Sequence, residues 1–293
     1  MYYAKKYFLI IFAILFSCAR NDYGVIKTDN GYAINFFQLG SGNNGIFKGC
    51  ILNLNISATD NMGNDIFSTK YHGINSISSF YYDSSIFESP LNDVFLKTYV
   101  GDSFSFNVSS KIFFNTFFGE KYNYKNFISG CPDSLRINIK NIAFNNFKEQ
   151  KKFNLKLKES SILSENRLLN EVKKQWDTSF VNIYKYKGLY SIKVASRDII
   201  SLDYDTLEHY LSLKYTIKDL RNRLLYTTSF DYEFYDNNLN NQLLEGFEIL
   251  ARRYEKGDSI VAIIPSELLF EERGSFINKI PPYTPAIVNL RIN

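Results

Sequence analysis

Two stretches of this chain echo one another. Lys187-Gly188-Leu189-Tyr190-Ser191-Ile192-Lys193-Val194 repeats the pattern of Asn30-Gly31-Tyr32-Ala33-Ile34-Asn35-Phe36-Phe37, and each leads to a second alternating run, His209 to Ile217 and Cys50 to Ala58 respectively. A whole domain is therefore expected to occur twice. The length of 293 residues agrees, because it accommodates about two domains of roughly 100–150 residues.

Composition narrows the class. Aromatic residues make up 17% of the chain, with 22 Tyr and 26 Phe against two Met, which favours strands and turns with some helix. The 34 basic and 30 acidic residues leave a charge of +4, or +2 without Lys5 and Lys6 of the leader, and no basic run is present to track a phosphate backbone. Nucleic acid is not an expected partner. His72 and His209 are the two histidines, and neither is spaced with Cys or carboxylates as a metal site requires. No metal and no cofactor are expected. Gly40-Ser41-Gly42-Asn43-Asn44-Gly45 matches a dinucleotide-binding fingerprint, but a strand rather than a helix follows it, so the phosphate-binding helix terminus is missing.

The N-terminus reads as an export signal. Met1 to Lys6 is basic, Tyr7 to Phe16 is an unbroken apolar run too short to span a bilayer, and Ser17-Cys18 follows. This resembles a bacterial lipobox, which implies a signal peptide over residues 1–17, lipid on the Cys18 thiol, and a tether over 18–29. Cys50 and Cys131 remain as a possible disulfide, and the sequence leaves their pairing open.

Along the chain, the strands at Gly31–Phe37 and Cys50–Ala58 read as a hairpin closed by the glycine-rich turn. A short helix is expected near Leu91–Thr98, then strands at Ser103–Ser109 and Ser134–Ile142. Phe80 to Phe87 and Phe113 to Phe118 read as aromatic insertions able to mark an interface. In the charge-rich middle, Ser164 is placed to cap a helix whose Leu168, Leu169, Val172 and Trp176 share a face that needs a packing partner.

The last fifty residues are the most specific. The blocks Leu243-Leu244-Glu245-Gly246-Phe247-Glu248-Ile249-Leu250, Tyr254-Glu255-Lys256-Gly257-Asp258, Pro265-Ser266-Glu267-Leu268-Leu269-Phe270 and Ile280-Pro281-Pro282 resemble the C-terminal half of an FKBP-type peptidyl-prolyl isomerase domain. Gly63 to Phe67, Pro90-Leu91 and Val100-Gly101-Asp102 are weaker traces of a second, more divergent copy. The resemblance implies an α+β chain of two FKBP-like domains, each an antiparallel sheet wrapped around a short helix and joined by a helical segment. Their spans are 30–147 and 185–293, with 148–184 between them and the helix of the second at Leu243–Arg252.

Carried over position by position, the family's pocket implies Tyr215 as a wall, Leu244 against the proline, Phe247 as the floor, and Ile280 in the loop before the two prolines. Leu225-Tyr226 stands where the family has Phe-Asp, Phe270 replaces the pocket tyrosine, and Val288 replaces the last-strand aromatic. In the first copy Phe67 fits, while Ser68 replaces the acid and Leu91 the floor. Rotating an X-Pro bond crosses a barrier near 20 kcal/mol and needs an apolar cradle that favours the twisted imide, not a nucleophile. The lost acid and hydroxyl therefore imply weak or absent isomerase activity. The expectation is a lipid-anchored protein binding or chaperoning exported and outer-membrane proteins, facing the periplasm from the outer membrane; the alternative is an active isomerase for exported proteins. The leader and repeated domains are also similar to FKBP lipoproteins of gliding motility and type IX secretion, which implies a secretion complex as partner.

Overall fold

The computed structural model describes residues 24–42, 44–119, 131–196, 210–228, 231–235, 239, 242–275 and 278–293. The leader, Cys18 and His209 lie outside them. Among the described residues the chain falls into two compact units, one running to Phe67 and resuming over Phe80–Asn146, the other made of Ser68–Ser79 and Phe147–Asn293.

The chain up to Asn146 contains β1 (Val25–Lys27), β2 (Ala33–Gln38), β3 (Ile51–Thr59), β4 (Asp65–Ser68), β5 (Ser78–Tyr81), α1 (Ser84–Phe87), α2 (Asn92–Leu96), β6 (Ser103–Ser109), α3 (Ser110–Phe118) and β7 (Ser134–Asn145). The rest of the chain contains α4 (Phe147–Ser179), β8 (Tyr184–Tyr186), β9 (Leu189–Ser196), β10 (Tyr210–Asp219), β11 (Leu224–Thr227), β12 (Tyr232–Tyr235), α5 (Glu245–Arg253), β13 (Asp258–Ile264) and β14 (Ala286–Ile292).

The repeat in the sequence is a repeat of topology. The first sheet runs β1-β2-β6-β7-β3-β4 with β5 added on β3, and the second runs β8-β9-β13-β14-β10-β11 with β12 added on β10, the same order strand for strand. The pairs β1·β2, β2·β6, β6·β7 and β7·β3 of the first sheet and β9·β13, β13·β14 and β14·β10 of the second are antiparallel. Smaller features recur with them. Gly31 (φ 84°) and Gly188 (φ 78°) take the left-handed conformation in the turns opening β2 and β9, where a side chain would be strained. Asp102 Oδ2 accepts from the Tyr99 amide at 2.7 Å, and Asp258 Oδ2 accepts from the Glu255 amide at 3.1 Å, so each copy ties the turn before its sixth strand with the same carboxylate three residues on.

The expected hairpin is not formed. β2 pairs with β1 and β6, while β3 pairs with β7 from Ile51↔Asn145 to Thr59↔Arg136. Alternation tells which residues share a face and is silent on which strand lies alongside. β3 buries Leu52, Leu54, Ile56 and Ala58 completely, which demands a central position, and the glycine-rich segment instead lies against the Val100–Asp102 turn. There the Gly40 amide donates to Asp102 Oδ1 at 2.6 Å, and a Cβ on Gly40 would fall 2.0 Å from the Val100 carbonyl oxygen.

The aromatic run Phe113–Phe118 is helix, not an exposed insertion. Ser109 caps α3 by accepting from the Ile112 amide at 3.3 Å, Gly119 at φ 84° ends it, and Phe113 and Phe114 are buried in the core of the first unit. In the other insertion Phe80 packs against that core, whereas Tyr81 and Phe87 are exposed. Cys50 is buried and Cys131 half-buried, and the two are not bonded to each other.

α4 is also longer than its charge pattern suggests. It runs through 33 residues, so Ser164 sits exposed in its middle rather than at its start. Its apolar stripe does find a partner: Leu169 and Trp176 are buried with Ile192 of β9 and Ile263 of β13, and Val172 packs beside them. The opposite face of that sheet, carrying Leu213, Ile217, Ile260, Ala262, Val288 and Leu290, closes over Phe247 and Leu250 of α5. The second sheet is therefore covered by a helix on each face.

Candidate functional site

The residues expected to line a pocket come together in the second unit where α5 meets the sheet. On β10 the period of two puts Leu213, Tyr215 and Ile217 on the face toward α5. Leu244, with extended backbone, immediately precedes α5; Glu245 and Glu248 lie near the helix N-terminus and Arg252 and Arg253 in its last turn, which suits the helix dipole. Gly246 lets the helix approach, since a Cβ there would lie 2.7 Å from Ile264 Cγ2 and 2.9 Å from the Leu268 carbonyl oxygen. Phe247, 3% exposed, is thereby pressed against the sheet.

The ring of Tyr215 lies 4.6 Å from that of Phe247 at an interplanar angle of 55°. Tyr226 of β11 and Tyr232 of β12 stand 5.9 and 6.2 Å from Tyr215, and their hydroxyls are 3.1 Å apart. Leu225, Phe234, Leu243, Leu244 and Phe270 pack on the same core and stay partly exposed. Ile280 is buried at its border, and Val288 is fully buried within the sheet. Tyr215, Phe247, Leu244, Tyr226 and Phe270 thus belong to one largely aromatic cluster, a candidate cradle, in which Phe247 is buried and the other four stay partly exposed; Val288 is wholly buried in the same cluster.

The cradle's polar groups are phenols. Burial, with a smaller effect from the neighbouring Tyr232 hydroxyl, raises the Tyr215 phenol above its ordinary value. The hydrogen bond to Tyr232, followed by burial, pushes Tyr226 up to about 12. Both stay protonated at neutral pH and can donate or accept a hydrogen bond. Tyr226 occupies the position where the resemblance implies a carboxylate, so the local charge differs. Among the described residues no group of three or more His, Cys, Asp or Glu is placed to hold a metal ion, and no helix is long and apolar enough to cross a membrane. What the cradle can do chemically is enclose an apolar group and offer one phenolic hydrogen bond.

The same place in the first unit is filled. Phe67 of β4 lies 5.7 Å from Phe113 and 5.3 Å from Phe118, Phe95 lies 6.2 Å from Phe117, and Leu91 is wholly buried. Phe113, Phe117 and Phe118 come from α3, which stands between β6 and β7 where the second unit has the segment between β13 and β14. Ser68 is half-buried and caps the short turn Thr69–Tyr71. Tyr232 and Phe234 were not singled out from sequence, although their alternation in Asp231-Tyr232-Glu233-Phe234-Tyr235 is a strand signal.

No family model and no curated protein matches the sequence. Among solved structures the chain is similar to a peptidyl-prolyl cis-trans isomerase from Pseudomonas syringae pv. tomato, at 12% identity and TM-score 0.35, over 46% of this chain and 92% of that one. It is also similar to the three FKBP domains of wheat FKBP73, at 12% identity and TM-score 0.31, over 92% of this chain and 97% of that one. FkpA from Escherichia coli is a further likeness, at 14% identity and TM-score 0.30, over 50% and 68% of the two chains. At 12–14% identity these likenesses concern the fold alone.

Proposed function

We propose that this chain is a tandem FKBP-like envelope protein that holds apolar, proline-bearing segments of exported or outer-membrane proteins in the cradle of its second domain. The observation that carries the reading is the Tyr215–Phe247 contact, with Tyr226, Leu244 and Phe270 left partly exposed around it. A proline ring is an apolar disc, and packing against aromatic faces supplies binding without charge. Leu225-Tyr226 in place of the family's Phe-Asp and Phe270 in place of its tyrosine favour holding over turnover, because an oriented donor that acts only in the twisted state is what raises the rate. The first domain, its equivalent space filled by phenylalanines, acts as scaffold.

In this reading Cys18 carries lipid, the residues between it and β1 tether the domains, since the expected tether of 18–29 contains β1 and is part of the first sheet from Val25 on, and the protein faces the periplasm from the outer membrane, in a secretion complex or beside one. Metabolic labelling with a palmitate analogue tests the anchor: label lost in Cys18→Ser supports it, and label retained refutes it. Binding of a proline-containing peptide, measured together with its cis-trans isomerisation rate, separates holding from catalysis.

A further inference from the structure

Between β13 and β14 the chain makes a loop with an unusual backbone. Glu271 (φ 46°), Lys279 (φ 53°) and Tyr283 (φ 52°) all take left-handed conformations that side chains resist, and such conformations persist only where the surroundings fix them. Part of the fixing is internal: the Glu271 amide donates to the Ser266 carbonyl and the Tyr283 amide to the Glu271 carbonyl, each at 2.8 Å. The rest comes from α4. Glu165, 8% exposed, accepts from the Ser266 amide at 2.7 Å through Oε1 and from the Ser266 hydroxyl at 2.6 Å through Oε2. Two turns earlier on the same helix, Lys158 Nζ lies 3.0 Å from Glu272 Oε2, which also accepts from the Tyr283 hydroxyl at 3.3 Å.

A buried carboxylate with both oxygens on one residue is an expensive arrangement for a helix otherwise rich in exposed charge, and it holds the start of the turn that carries the buried Leu268 and Leu269 and then Phe270. Resting on the cradle reading above, we infer that Glu165 is a positioning residue for the peptide-binding cradle: it pins Ser266 from outside, and that sets the place of Phe270, four residues on, at the cradle's edge. Glu165 itself touches no ligand.

The test uses the full chain in detergent. Hydrogen exchange over Ser266–Gly274 is measured without ligand, and the affinity for a fluorescent Ala-Leu-Pro-Phe peptide is measured alongside. Glu165→Ala is expected to speed exchange in that segment and to weaken the peptide about tenfold, the scale of losing a charged hydrogen bond, whereas Glu165→Gln, which keeps an acceptor for the Ser266 amide, recovers most of both. In a Phe270→Ala background Glu165→Ala should no longer change affinity, an outcome a purely structural role would not give. The emission of Trp176, the single tryptophan, reports whether α4 stays docked. If Glu165→Ala disturbs it, Ser266→Ala, which removes only the hydroxyl bond, takes its place with the same expectations at smaller size. A wild type that binds and a Glu165→Ala variant that binds equally well overturn the positioning role alone. A wild type that binds no peptide sinks the cradle reading and this role with it, whatever the exchange shows.

Discussion

Tyr215 and Phe247 meet from a strand and a helix with their rings 4.6 Å apart, and Tyr226 and Tyr232 stand 5.9 and 6.2 Å from the same tyrosine. Because Phe247 is almost fully buried, it works twice, as core and as floor. Phe247→Ala should destabilise the second domain by about 3 kcal/mol, the usual scale for emptying a buried aromatic position. A urea titration followed by Trp176 emission measures it; a loss below about 1 kcal/mol would mean that the site collapses freely and that the floor is not held in place.

Gly246 makes an opposite kind of prediction. Alanine is the better helix former by about 1 kcal/mol, so propensity alone favours Gly246→Ala. The added methyl would meet Ile264 and the Leu268 carbonyl at under 3 Å, and neither is a freely moving chain end. The variant should therefore be less stable, by about 1–2 kcal/mol, and a thermal melt showing a gain would contradict the close packing of α5 on β13.

Acid should act through Asp258. Burial on its own would raise this carboxyl, but hydrogen bonds from the Ser196 hydroxyl and the Glu255 amide, with Lys193 nearby, outweigh it and hold the group below its ordinary 3.8. A depressed folded value means that the stability it contributes is complete above 3.8 and is lost as pH falls through the lower folded value. Asp258→Asn should lose about 1–2 kcal/mol at pH 7 and converge on the wild type in strong acid. Urea midpoints across pH 2–7 give the answer, and a constant gap between the two proteins would rule the assignment out.

Alkali should act through Tyr226. Its folded value near 12, against an ordinary 10.0, means that the folded chain keeps a proton that the unfolded chain releases. This stabilisation is complete below pH 10 and is lost as pH rises toward 12. Ultraviolet titration of the phenols should show a late phase that disappears in Tyr226→Phe; a titration unchanged by the substitution would place the late phase elsewhere.

Much of this fold was legible in the sequence, and the misses have identifiable causes. The echo of Asn30–Phe37 in Lys187–Val194 and the alternation of β3, β6 and β10 announce strands that the structure contains, and the block Leu243–Leu250 announces α5. Strand order was not legible, since period two fixes a face and leaves the neighbour open; hence the hairpin that is absent. Phe113, Phe114, Phe117 and Phe118 carry a helical spacing, and reading them as a surface insertion overlooked that a stripe so apolar would be buried. Glu165 is invisible from sequence for the reverse reason. One acid in a helix full of charges looks solvated, and only the approach of Ser266 from a hundred residues away marks it as buried. Tyr215, Phe247 and Val288 were placed by resemblance alone; the structure gathers all three in one apolar cluster, with Phe247 and Val288 buried and Tyr215 partly exposed.

The most direct test of the cradle is fluorescence anisotropy of a labelled Ala-Leu-Pro-Phe peptide titrated with the full chain in detergent, beside Tyr215→Ala, with the isomerisation rate of the same peptide followed in parallel. The account predicts saturable binding by the wild type, binding weakened at least tenfold in Tyr215→Ala while Trp176 emission is unchanged, and little or no acceleration of isomerisation. Binding that survives Tyr215→Ala undiminished, or no binding by the wild type, would contradict it.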